Sequence, residues 1–134
     1  MKTRVLDSWP ILEWLNGREP AAALVTAMLA AAEAGKARLL MSAINAGEVY
    51  YFLRKQRQHA AAENWRRASG TMPVSMDVPA AHDIWAAAEL KGKFTISYAD
   101  AFAAELAQRF ACPLVTGDPE FHVVEGVDLE WMGT

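Results

Sequence analysis

Arg4-Val5-Leu6-Asp7-Ser8-Trp9-Pro10-Ile11-Leu12 passes from a short apolar run, through a polar pair, into a segment of helical character. The polar pair marks a strand end and a helix start. Asp7 or Ser8 suits the N-cap, and Pro10 belongs in the first turn, where its missing N–H has no partner to lose. Asn16-Gly17 stops this helix, and Pro20 opens a second, alanine-rich one that reaches Ala34, with Gly35 at its end. Arg38–Met41 is the next short apolar run, Ser42 caps a helix expected from Ala43 to Gln58, and another is expected from His59 to Ser69. Thr71–Val78 contains Pro73 and suits a weak or edge strand. Pro79–Leu90 is expected to be helical, Lys91-Gly92-Lys93 a loop, and Ser97 or Tyr98 through Phe110 a further helix. Leu114-Val115-Thr116 is a buried strand, Gly117-Asp118-Pro119 a turn, and Val127–Trp131 alternates as a last strand should.

Short strands separated by helices imply crossover connections, and crossovers make neighbouring strands parallel. The expected fold is α/β, with a short central parallel sheet flanked by helices on both faces. A chain of 134 residues suits one domain, 1–134, and no Pro/Gly/Ser linker divides it. With 53% hydrophobic and 22% charged residues, disorder is excluded. The most apolar segment, Ala21–Ala34, is too short and too alanine-rich to span a bilayer, so no membrane partner is expected. The N-terminus shows no apolar leader, and the single Cys112 forms no internal disulfide; both agree with a cytoplasmic protein. A net charge of −3 argues against nonspecific coating of nucleic acid through a broad basic face. It leaves room for a nuclease whose clustered carboxylates meet phosphate through metal ions.

Four acids depart from an ordinary surface distribution. Glu48 falls in the stripe Ile44, Glu48, Tyr51 and Phe52, at the i, i+4, i+7, i+8 spacing of a face expected to meet the core. Asp100 is the only charge among Ile96, Ala103, Ala104 and Ala107. A lone buried carboxylate is costly, so each requires a cation, a hydrogen-bonded cage, a bound metal or an opening to solvent. Asp7 and Asp118 follow strands and should project from the C-terminal edge of the sheet, where open α/β folds bind ligands. Singly, Asp7 also reads as a helix cap, Asp118 as a turn former, Glu48 as a snorkelling acid and Asp100 as a first-turn acid favoured by the helix dipole. Jointly they can converge at one sheet edge, and hard oxygen ligands suit Mg²⁺ or Mn²⁺.

At these residues the sequence resembles the PIN-domain ribonucleases, specifically the VapC-like toxins of bacterial type II toxin-antitoxin pairs. Val5-Leu6-Asp7-Ser8 resembles the opening strand and first acid, and Ser42 to Tyr51 the second block with its Glu. Ile96 to Ala104 and Leu114 to Phe121 resemble the third and fourth blocks. Trp9-Pro10 stands where the family more often carries small or aliphatic residues. The resemblance implies a PIN-like fold and a Mg²⁺- or Mn²⁺-dependent endoribonuclease acting on structured RNA such as tRNA or rRNA. It also implies inhibition by a cognate antitoxin, and a homodimer. Asp7, Glu48 and Asp100 would anchor one cation, with Asp118 helping to place it, a second cation or the attacking water. Asn45 and Thr116 are candidates to orient carboxylates or water.

Two other readings compete with this one. A haloacid-dehalogenase-type phosphohydrolase also opens on a strand-end Asp, but needs a second Asp two residues later, where this chain has Trp9. A catalytically inactive PIN-fold binding module would have little reason to carry all four acids. His59, His82 and His122 show no ligand spacing, and only His122 lies near an acid in sequence. Arg54-Lys55-Gln56-Arg57 with Arg66-Arg67 suits either RNA or antitoxin contact or a solvated face. Trp14, Trp65, Trp85, Trp131, Tyr50, Tyr51 and Phe52 are assigned mainly to the core or a dimer contact.

Overall fold

The computed structural model describes residues 1–134. Its elements are β1 (Lys2–Leu6), α1 (Ser8–Leu15), α2 (Ala21–Glu33), β2 (Ala37–Ser42), α3 (Ala43–Lys55), α4 (His59–Ala68) and β3 (Ser75–Asp77). There follow α5 (Ala81–Lys93), α6 (Tyr98–Arg109), β4 (Leu114–Thr116), a 3-10 turn (Pro119–Val123) and β5 (Leu129–Trp131). The strands form one sheet in the order β3-β2-β1-β4-β5, and every neighbouring pair is parallel.

The central strands are apolar on both faces, as a parallel sheet covered on both sides requires. Val5, Leu40 and Leu114 join α5 and α6 in one core, where Ala101 to Ala107 of α6 are buried without interruption. Leu6, Leu39, Met41 and Val115 join Ile11 of α1, Val25 of α2, Val49 and Leu53 of α3 and Trp65 of α4 in the other. The segment around Pro73 and the last strand lie at the two edges, where a missing donor or a short ladder costs least. No helix is long and apolar enough to cross a membrane.

Three expectations are corrected. α3 ends at Lys55, three residues early, because Arg57 adopts a left-handed φ of 59° and Gln58 N–H returns to the Leu53 carbonyl at 2.9 Å. That turn is of the kind glycine usually makes, and no glycine signals it here. Lys91-Gly92-Lys93 is the last turn of α5, not a loop, since the backbone ladder runs on to Phe94, which packs on the core and donates to the Leu90 carbonyl at 2.9 Å. The stripe Ile44-Glu48-Tyr51-Phe52 is not the core face of α3: Ile44 and Tyr51 are exposed, and Asn45, Val49 and Leu53 point inward. Trp85 lies outside the core, 72% open to solvent, which leaves the contact half of its assignment standing as an expectation.

An ion cluster absent from the sequence reading ties the edge strand down. Arg109 of α6 forks onto Glu105 at 2.8 and 2.9 Å and onto Asp77 of β3 at 2.9 Å through two nitrogens, with Asp83 of α5 at 3.4 Å. Such bidentate geometry is what a planar guanidinium supplies. The only signal for it in sequence is the i,i+4 pair Glu105 and Arg109.

Candidate metal centre

The chain leaves β1 toward β2 on one side and reaches β4 on the other, so the sheet changes direction between β1 and β4. At such a switch point the strand ends splay and leave a crevice at their C-terminal edge. Asp7 follows β1 and Asp118 follows β4, which places both in that crevice. The helix α3 begins directly after β2, and Asn45 of its first turn donates through Nδ2 to the Ala99 carbonyl at 3.0 Å, drawing α6 and Asp100 alongside.

Carboxylate oxygens of Asp7, Asp100 and Asp118 lie within 4.8 Å of one another. Glu48 is not in this tight group, although it lines the same cavity as Asp100 and Asp118. Its Oε1 accepts from Ser8 Oγ at 2.5 Å and its Oε2 from Tyr51 Oη at 3.4 Å. Ser8, read from sequence only as a cap, thus links Glu48 to the acid beside it. The cap and cluster readings prove compatible. Asp7 Oδ1 accepts from Ser8 N at 2.6 Å and Asp118 Oδ1 from Glu120 N at 3.0 Å. Thr116 joins the two acids, donating through Oγ1 to Asp7 Oδ2 at 2.7 Å and accepting from Asp118 N at 3.0 Å.

Burial and repulsion from neighbouring carboxylates raise the affinity of Asp7 and Asp100 for protons. Burial, followed by the charge on Glu48, outweighs the Thr116 hydrogen bond and pushes Asp7 up to about 7. Burial, then the charges of Asp7, Asp118 and Glu48, pushes Asp100 up to about 8. The Tyr51 hydroxyl is also raised, by burial first and then by Glu48. Two buried oxygens have no hydrogen-bond partner, Asp100 Oδ2 and Asn45 Oδ1. The orphan oxygen of Asp100 beside two further carboxylates is the donor set that a hard divalent cation satisfies. His122 is not part of it: its ring lies 4.3 Å from that of Trp131.

Gly117 sets how closely this edge packs. A Cβ there would lie 2.5 Å from Cη2 and Cζ2 of Trp9, so the indole rests directly on the Gly117 backbone. Gly117→Ala is therefore expected to push Trp9 or the Asp118 turn outward and to destabilise the protein by about 1–3 kcal/mol. Urea denaturation checks this, and Trp9→Leu should recover part of the loss.

An open, doubly wound α/β sheet with three acids at its switch point defines a class of fold with a carboxylate cluster where ligands bind. Within that class the chain belongs to the PIN domain family, whose model matches residues 4–127. A comparison with curated proteins finds no match. Among solved structures, the sarcin-ricin loop cleaving toxin VapC20 of Mycobacterium tuberculosis has a TM-score of 0.77 at 16% identity, covering 94% of this chain and 98% of that one. VapBC2 of Rickettsia felis, bound to a DNA fragment from its promoter, gives 0.73 at 16% identity, with 96% and 97% covered. The DNA-bound VapBC of Salmonella typhimurium gives 0.68 at 17% identity, with 97% and 98% covered. At these identities the likeness is one of fold.

Proposed function

We propose that the protein is a divalent-metal-dependent endoribonuclease, the toxin of a toxin-antitoxin pair. The observation that carries this is the approach of Asp7, Asp100 and Asp118 to within 4.8 Å, two of them buried, with an orphan oxygen on Asp100. These three acids would hold Mg²⁺ or Mn²⁺, and Glu48, steadied by Ser8 and Tyr51, would face the same space from α3. A divalent cation bound there supplies countercharge for the scissile phosphate and lowers the pKa of water. Thr116 keeps Asp7 turned toward the cluster and fixes the turn bearing Asp118, while the free Asn45 Oδ1 is available to accept from a water that the acids orient.

Other partners are proposed on chemistry and family membership together. A structured RNA such as tRNA or rRNA would be the substrate, in the cytoplasm. A homodimer and a cognate antitoxin would cover apolar surface of the kind offered by Val78, Ile84 and Trp85. Expression alone should arrest growth, and co-expression with a small neighbouring antitoxin should relieve it. The purified toxin should cut RNA in Mg²⁺ or Mn²⁺ and stop in chelator. Full activity in chelator would overturn the proposal.

A further inference from the structure

We infer that the groove leading away from the acids receives one unpaired nucleobase of the RNA, next to the phosphate to be cut. This rests on the ribonuclease reading above. The cavity holds about 430 Å³, and Glu48, Asp100 and Asp118 line it together with Trp9, Leu12, Asn16, Phe52, Gln56 and Arg18. Ser8, Leu12 and Asn16 lie on one face of α1 at i, i+4 and i+8, and Glu48, Phe52 and Gln56 repeat that spacing on α3. α1 starts at Asp7 and Glu48 lies midway along α3, so from the acids the two faces carry the groove outward for about 12 Å, the rise of eight helical residues.

The chemistry changes along that length. Beyond the acids the walls are the indole of Trp9, seated on Gly117, then Leu12 and the ring of Phe52. At the far end Arg18 neutralises Glu13 at 3.1 Å, the Asn16 amide donates to the Leu12 carbonyl at 2.9 Å and accepts from Gln58 at 3.3 Å, and Gln56 presents its amide. Gln56 is engaged within the chain only through Oε1, which accepts from Gln58 Nε2 at 3.5 Å, leaving its N–H groups for a ligand. A second phosphate would meet no net positive charge here. A neutral flat ring with a hydrogen-bonding edge fits both the walls and the end. A base within a duplex has its faces stacked and its edge paired, so only an unpaired one can enter.

The test measures binding in Ca²⁺ and cleavage separately in Mn²⁺. Labelled octaribonucleotides carry a single abasic site moved along the strand, and a matching duplex is included. For the parent protein, one position should weaken binding about tenfold when its base is removed, and pairing the strand should weaken it similarly. In Phe52→Ala, or in Phe52→Leu where the alanine variant unfolds, the same abasic site should cost less than about twofold, because the wall it stacked on is gone. Uniform tolerance of abasic sites overturns the inference, and so does an abasic penalty unchanged by the variant, the result expected if a peptide occupies the groove instead. Cleavage in Mn²⁺ without a base-sensitive position defeats the groove alone; base-dependent binding without cleavage defeats the nuclease reading alone.

Discussion

Asp100→Asn is expected to abolish RNA cleavage while raising the melting temperature of the metal-free protein. Asn keeps the shape and the hydrogen-bonding capacity of Asp100 and is neutral at every pH, whereas Asp100, buried with Asp7 and Asp118 within 4.8 Å, must without metal either bear their repulsion or take up a proton. Burial and those neighbouring carboxylates raise the Asp100 pKa to about 8, a cost that the metal-free fold carries at neutral pH. Removing the repulsion should add about 0.5–2 kcal/mol of stability, which for a chain of this size is about 2–8 °C. Activity should fall on the order of a hundredfold or more, and adding Asp7→Asn should make it scarcely worse, because the carboxylates act as one unit. Millimolar Mn²⁺ should stabilise the parent, by about 2.7 kcal/mol at a hundred times Kd, and the variant far less. An isolated first-turn acid makes the opposite forecast, a loss of about 0.3–1 kcal/mol whatever the metal. Thermal melts of both proteins in chelator and in Mn²⁺ distinguish the two.

The second large effect is on pH dependence. Asp7 and Asp100 have folded-state pKa values raised to about 7 and about 8, against 3.8 for an unperturbed Asp. Between about pH 4 and 8 the folded state therefore binds more protons than the unfolded state, and stability falls as pH rises. In chelator the protein should be more stable at pH 5 than at pH 8, by an amount on the order of 2–4 kcal/mol, since each pKa unit corresponds to about 1.4 kcal/mol and the two groups titrate as a coupled pair. Saturating Mn²⁺ should flatten or invert this trend, because the cation competes with protons for the same oxygens and binds better as pH rises. Asp7→Asn should weaken the chelator slope. Equal stability at the two pH values in chelator would mean that the acids are solvated and apart.

Much of the architecture was legible because its signals are local. Strand ends, N-caps and breakers such as Asp7-Ser8, Ser42, Ser97 and Asn16-Gly17 act within a turn or two of chain, and their alternation leaves a parallel sheet with helical crossovers as the simple solution. The errors fell where a local rule was overridden by tertiary contact. Arg57 turns the chain without glycine, Gly92 stays helical in a ladder that runs on to Phe94, which packs on the core, and Glu48, Tyr51 and Phe52 of the stripe on α3 line the groove while Ile44 is exposed.

The sequence by itself determined that acids stand at two strand ends and on two apolar helix stripes, since periodicity and punctuation are properties of neighbours in the chain. Only the tertiary structure decided that Asp7, Asp100 and Asp118 meet while Glu48 lies outside that group, hydrogen-bonded by Ser8 and Tyr51. It alone decided that Thr116 bridges two of the acids, that Trp9 lies on Gly117, and that Arg109 gathers Asp77, Asp83 and Glu105. The reason is that helical spacing names a face but not what that face meets. Distances between residues a hundred positions apart are set by how the sheet and helices pack, and the raised proton affinity of Asp7 and Asp100 comes from surroundings that exist only once the crevice has closed around them.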